Sequence, residues 1–273
     1  MKARSPSVLR GAFALMSIRL VLEQAGLAVL VFLLYALWLR VPDASGLDVM
    51  GSVCLAVIVV LTAGAGESML TLRLADRPRT RGRLLRGTLL VLTGAALWFG
   101  WSVLLGHFRG DYNSNDNLWA GYLNSRFPHQ MRNVFTYQHL LLWLGWMWAA
   151  LLWVGAGIIA AMVFAGTASA RPVRVVLRAL RSIAYWCVVV LVATAASIFS
   201  DAILGWTPGH GLRVEMMSLA LRLTAVVLVD AVVVCLVLAM LAAIVRQSDE
   251  SDAAHLTVAG TPDDSQPRTA EAP

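Results

Sequence analysis

The sequence predicts an all-α integral membrane protein, a bundle of six transmembrane helices with both termini in the cytoplasm. Three observations carry that prediction. Hydrophobic residues make up 59% of the 273 residues and charged residues only 14%, against about 25% charged in an ordinary soluble domain. The apolar residues gather into six long runs, and the basic residues gather in alternate loops between them. With a mean hydropathy of +0.71, this composition excludes a soluble domain, a disordered chain, a collagen-like fibre and a disulfide scaffold.

The runs fall at about 20–40, 50–72, 87–106, 139–165, 183–205 and 216–245. Each reaches the ~20 residues that cross ~30 Å of hydrocarbon at 1.5 Å per residue. Segments such as Arg40-Val41-Pro42-Asp43, Asp76-Arg77-Pro78-Arg79 and Gly205-Trp206-Thr207-Pro208-Gly209 separate them. Proline and glycine end helices there, where water takes over the freed backbone groups. Runs of this length without polar alternation exclude a β-barrel, the other fold that satisfies its backbone in lipid. The opening stretch Met1–Ile18 lacks the apolar length and cleavage pattern of a removable signal, so the first span is expected to be retained.

Orientation follows from the cations. Sixteen Arg and Lys residues lie in the N-terminal segment, the second and fourth loops and the tail, against five on the opposite side. That asymmetry predicts cytoplasmic termini, in a cell membrane of the prokaryotic cytoplasmic kind. Trp38, Trp98, Trp101, Trp119, Trp143, Trp146 and Trp206 cluster toward the other ends of the spans, where indole rings favour the headgroup level. The net charge of +6 is confined to short loops between apolar runs, so no nucleic-acid partner is expected. Residues 1–246 read as one membrane domain. The tail 247–273, with six acidic residues and no aromatic, reads as disordered and cytoplasmic.

The fourth loop has the clearest local pattern. Arg171, Arg174, Arg178 and Arg181 fall within one arc of ~80° on a helix. Val173, Val176, Leu177 and Leu180 occupy the opposite face. Pro172 suits a first turn. The pattern predicts a helix lying on the inner leaflet and running into the fifth span, a docking surface for anionic lipids or for a partner. The plainer reading is a positive-inside anchor.

Polar groups at membrane depth are the other candidates. Asp230 stands about 14 residues, or ~20 Å, from either end of the sixth run, too deep to reach water. Arg222 leans away from it, toward its own N-terminus. Asp230 is therefore either a coupling site for protons or cations or a protonated carboxyl bonded to a neighbouring helix. Glu67, in Thr62-Ala63-Gly64-Ala65-Gly66-Glu67-Ser68, is a second coupling candidate. Its alternative role is an interfacial ion pair with basic-loop arginines, beside glycines that let helices approach. Glu23, Gln24 and Asp201 are expected at span ends.

Cysteines 54, 187 and 235 all lie inside apolar runs and read as small hydrophobes. His107, Asp111, Asp116, His129, His139 and His210 share the outer side at spacings that match no metal site. Asp116–Leu123 resembles an amphipathic piece resting on the outer interface. The sequence contains no G-x-S-x-G, H-E-x-x-H or G-x-x-x-x-G-K-[ST] pattern, so neither catalysis, a cofactor nor a metal is expected. The functional expectation is a non-enzymatic membrane-embedded subunit or scaffold, with a membrane or cytoplasmic protein partner or a second copy. The alternative is a small proton- or cation-coupled carrier using Asp230 and Glu67.

Overall fold

A computed structural model describes residues 8–42, 44–110, 113–132, 134–206 and 211–259, and the statements below concern those residues. Every regular element among them is helical. In chain order these are α1 (Val8–Leu15), α2 (Ile18–Trp38), α3 (Gly46–Leu74), α4 (Arg81–Arg109), α5 (Ser114–Arg126) and α6 (His129–Arg132). They continue with α7 (Tyr137–Ala168), α8 (Pro172–Arg181), α9 (Ile183–Trp186), a π-helical segment (Cys187–Val192), α10 (Ala193–Gly205) and α11 (Leu212–Ala259). Six stretches are long and apolar enough to cross a membrane: α2, α3, α4, α7, the continuous α9–π–α10 rod, and α11 as far as Glu250. The chain is a multi-pass membrane protein.

Four of the six spans start where a small hydroxyl side chain precedes an apolar run. Ser17 accepts from the Leu20 amide, Ser45 from Asp48, Thr136 from His139 and Ser182 from Tyr185. Each takes up one of the first-turn donors that a helix leaves without a partner. At the far end of α4, Gly110 adopts φ 75°, a left-handed conformation that costs glycine nothing and stops the helix.

Consecutive spans are neighbours. α2 packs on α3, α3 on α4, α4 on α7, α7 on the π segment and α10, α10 on α11, and α11 returns to α2. The ring is filled where α3, α7 and α11 meet across its middle. Its best-packed region lies at the basic end. There Leu72, Phe164, Tyr185 and the run Met240–Val245 of α11 are buried, and α1 seals them with Ala12 against the same stretch. Gly11 and Ala243 approach so closely that a Cβ on the glycine would sit 3.3 Å from that of the alanine. α1 and the basic half of α11 therefore share one end of the bundle.

The structure departs from the sequence expectations in four places. The tail was expected to be disordered from Gln247, yet α11 continues to Ala259. Ser248 is buried and Asp249 pairs with Arg77 at 2.5 Å, so the loop after α3 supplies the contact that composition does not reveal. Residues 260–273 lie outside the described residues. α8 does not run into the fifth span, because Ser182 (φ −84°, ψ 108°) breaks the helix and caps α9 instead. Trp186 bridges the break by donating to the Leu180 carbonyl at 2.9 Å. The face of α8 also differs: Val175 and Ala179 are buried, while Val173 and Leu177 are exposed. α8 rests sideways on α7 and α11, which leaves an apolar edge between its buried flank and its arginines. Finally, the π-helical turn has no sequence signal. It lies where Val189 approaches Gly157 of α7, and where the buried Tyr185 hydroxyl donates to the Gly157 carbonyl at 2.7 Å.

Candidate functional site

Glu67 sits on the part of α3 that faces α2. Gly64, one turn back, lies against Thr88 and Leu92 of α4, and Gly66 lies under Leu27 of α2. These two glycines draw α3 against both neighbours and carry the Glu67 carboxylate into the α2 surface. The expected pairing with an arginine does not occur. Gln24 Nε2 donates to Glu67 Oε1 at 2.6 Å, and Gln24 itself is buried with its Oε1 unbonded. The arginines are taken one residue earlier: Arg19 pairs with Glu23 at 2.9 Å, and Arg73 pairs with the other oxygen of the same carboxylate. Residues 23 and 24, expected only as span-end groups, thus split the work. Glu23 faces the arginines and Gln24 faces Glu67.

Asp230 lies elsewhere. Arg222 donates to the carbonyls of Ser218, Leu204 and Trp206, so it caps the end of α10. At the basic end, Arg246 donates to the Leu74 carbonyl at 3.2 Å. These two arginines bracket α11, and Asp230 is eight residues from the first and sixteen from the second. The corresponding depths are about 12 Å and about 24 Å along the axis. Asp230 is therefore nearer the tryptophan-rich end than the even spacing of the apolar run implied. Its side chain is exposed on the surface of the single chain and makes no hydrogen bond or ion pair with any described residue. Leu219, Leu223 and Val234, all exposed, share an arc of about 60° with it. Glu67 and Asp230 thus belong to separate places, one in a helix seam and one on an outward stripe.

The four arginines of the fourth loop do share a surface. Arg174, Arg178 and Arg181 project from α8 and Arg171 precedes its first turn. Together with Val173 and Leu177 they line a recess of about 590 Å³. The sequence identified this cluster, though not the apolar edge inside it.

At the tryptophan-rich end, an element that sequence reasoning treated as an interfacial piece is tied to the bundle. α5 lies on α7 and α4. Asp116, 3% exposed, accepts from Arg109 at 2.8 Å and from the Trp148 indole at 2.6 Å. Several tryptophans are staples between helices as well as rim residues: Trp38 donates to Ser52, Trp101 to the Leu151 carbonyl and Trp153 to Ser197. Arg109, Trp146, Trp153, Ser197 and Asp201 border a cleft of about 580 Å³ between α4, α7 and α10. The two histidines whose side chains are described do not meet. His107 stacks edge-on with Phe108, and His139 Nδ1 meets the Val134 carbonyl. No group of three metal-ligating side chains occurs among the described residues. Asp111, His210 and the side chain of His129 lie outside them.

In comparisons with known proteins, no family model, curated protein or solved structure matches this chain.

Proposed function

We propose that the protein is a non-enzymatic, membrane-embedded subunit that assembles in the bilayer with another membrane-spanning chain. In this reading it sits in a prokaryotic cytoplasmic membrane with its basic end inward. The single observation that supports it is Asp230. A carboxyl on a lipid-facing stripe, within the hydrocarbon and without a partner among the described residues, costs several kcal/mol even when neutral. A helix presenting a hydrogen-bonding group at that depth removes the cost, and Leu219, Leu223 and Val234 supply the apolar surround that such an interface needs.

The test is recovery of a stoichiometric membrane partner, a second copy or a different chain, after mild solubilisation of wild type and of Asp230→Leu. Because Asp230 makes no hydrogen bond or ion pair with any described residue, the substitution should leave the bundle intact. We expect at least a tenfold loss of the complex with a monodisperse protomer remaining. An unchanged complex, or a wild-type chain recovered alone, removes the reading.

A carrier is the second reading, and the Gln24–Glu67 pair favours it. A carboxyl in the membrane beside a buried amide oxygen without a partner can exchange a proton or coordinate a cation. Glu67→Gln should then abolish coupled uptake while Asp230→Asn leaves it intact. Equal uptake by Glu67→Gln and wild type excludes this role.

A further inference from the structure

The seam between α2 and α3 is pinched at two contacts and open between them. At the basic end Leu27 lies on Gly66, and at the other end the Trp38 indole donates to Ser52 at 2.9 Å. Between these contacts the facing residues are small or slender. Ala28 and Val31 on α2, with Val59 and Ala63 on α3, leave a groove of about 460 Å³ that opens sideways past Phe32 and Tyr35. Both rings are exposed on the bundle surface. From Gln24 to Tyr35 the groove follows eleven residues of α2, about 16 Å. That matches the ~15 Å depth of one hydrocarbon leaflet.

The groove leads into a second recess. Leu27 lines both, and the second one, about 500 Å³, is bordered by Arg19, Glu23, Arg73 and Arg79. Glu23 is the only carboxylate there and already has two of the guanidinium groups as partners. Arg79 makes no hydrogen bond or ion pair with any described residue. Three cations against one anion leave a net charge of about +2, at the level where α2 and α3 leave the membrane. Glu67 is the other acidic group on this seam. It lies deeper, held by Gln24, so it faces the groove at the depth of glycerol esters and not the cationic recess.

We propose that this seam binds one anionic phospholipid, its phosphate among Arg19, Arg73 and Arg79 and one acyl chain along Ala28, Val31 and Phe32. Charge selects the headgroup, and the groove selects a lipid over a free anion. The site is independent of any partner at Asp230, which is on another face of the bundle. It is also distinct from the arginine recess of α8, which offers Val173 and Leu177 but no groove of acyl-chain length.

The experiment is native mass spectrometry of the protein released from nanodiscs of equal phosphatidylcholine and phosphatidylglycerol. One retained phosphatidylglycerol per chain is expected. Arg79→Gln removes a side chain with no partner in the fold, and should weaken retention about fivefold. Ala28→Phe fills the groove while leaving every arginine in place, and should weaken it at least as much. Inorganic phosphate added at millimolar concentration should not displace the lipid. The proposal fails if both lipids are retained equally, if neither substitution changes retention, or if phosphate competes fully. It fails equally if Arg174→Gln with Arg178→Gln abolishes retention while Arg79→Gln does not, since the lipid then sits on α8.

Discussion

The two halves of α11 contain similar residues and live in different surroundings. From Ala239 to Val245 seven consecutive residues are nearly inaccessible, hemmed in by α1, α2, α3, α7 and α8. From Leu212 to Leu221 the same helix presents leucine and methionine outward, with Met217 76% exposed. Hydropathy does not separate the halves, because lipid accepts an apolar side chain as readily as a protein core does. What separates them is close approach. The basic end has α1, the glycine contacts at positions 11, 64 and 66, and a folded-back helix α8. Along Leu212–Leu221 the residues of α11 are exposed or half-buried, and Arg222 ties this half to the end of α10. Stability is thus concentrated at the basic end, while the opposite half of α11 is free to meet something else.

Truncating side chains in the two halves should expose this contrast most strongly. Ile244→Ala removes a fully buried side chain and should cost about 2–5 kcal/mol, the range for cavities that cannot collapse. Met217→Ala removes an exposed one and should stay within about 0.5 kcal/mol. Unfolding in a mild detergent, followed by tryptophan fluorescence, measures both. Equal losses would mean that the exposed half is packed in the isolated chain, and would take away the surface on which the assembly reading depends.

A smaller effect should come from the anchor of α5. Asp116→Ala leaves the Trp148 indole and the Arg109 guanidinium without their shared acceptor. A lost partner for a buried donor costs about 1–3 kcal/mol. The loss should be local: limited proteolysis should cut between α5 and α7 faster, while the unfolding midpoint set by the basic end moves little. A global midpoint shift as large as that of Ile244→Ala would show that the two ends are one cooperative unit.

The same physics explains what the sequence disclosed. The six spans were legible because hydrocarbon thickness fixes a length, and length survives in the pattern of apolar runs. α8 was legible because its arginines have a helical period. Faces were not, since an apolar residue on a membrane helix points to lipid or to protein with equal comfort. Val175 and Ala179 were hidden for that reason beside Val173 and Leu177. The Gln24–Glu67 pair joins residues 43 apart, and nothing local distinguishes it from an ion pair with a nearby arginine. The break at Ser182 had a weak signal, a serine before an apolar run. The π turn had none, because it answers to the contact at Gly157 and not to its own residues. Asp230 was found because a carboxylate is conspicuous in an apolar run, but its outward aim belongs to the packing of α11.

The smallest expected effect concerns the end of α11, where composition and structure disagree most. Arg77 donates through Nε to the Ala168 carbonyl at 3.0 Å and through its terminal nitrogen to Asp249. It therefore links the loop after α3 to the end of α7 and to the extension of α11. Asp249 is 51% exposed, so water screens the pair and its contribution should lie below about 1 kcal/mol. Asp249→Asn should lower stability by that amount at low salt and by nearly nothing at about 1 M, where the screening length is ~3 Å. Arg77→Gln should cost more than Asp249→Asn at both, because it also strips a donor from the end of α7. A double-mutant cycle separates the two contributions. Should the two single variants cost the same and the cycle give no coupling, the Arg77–Asp249 pair contributes nothing to holding the end of α11.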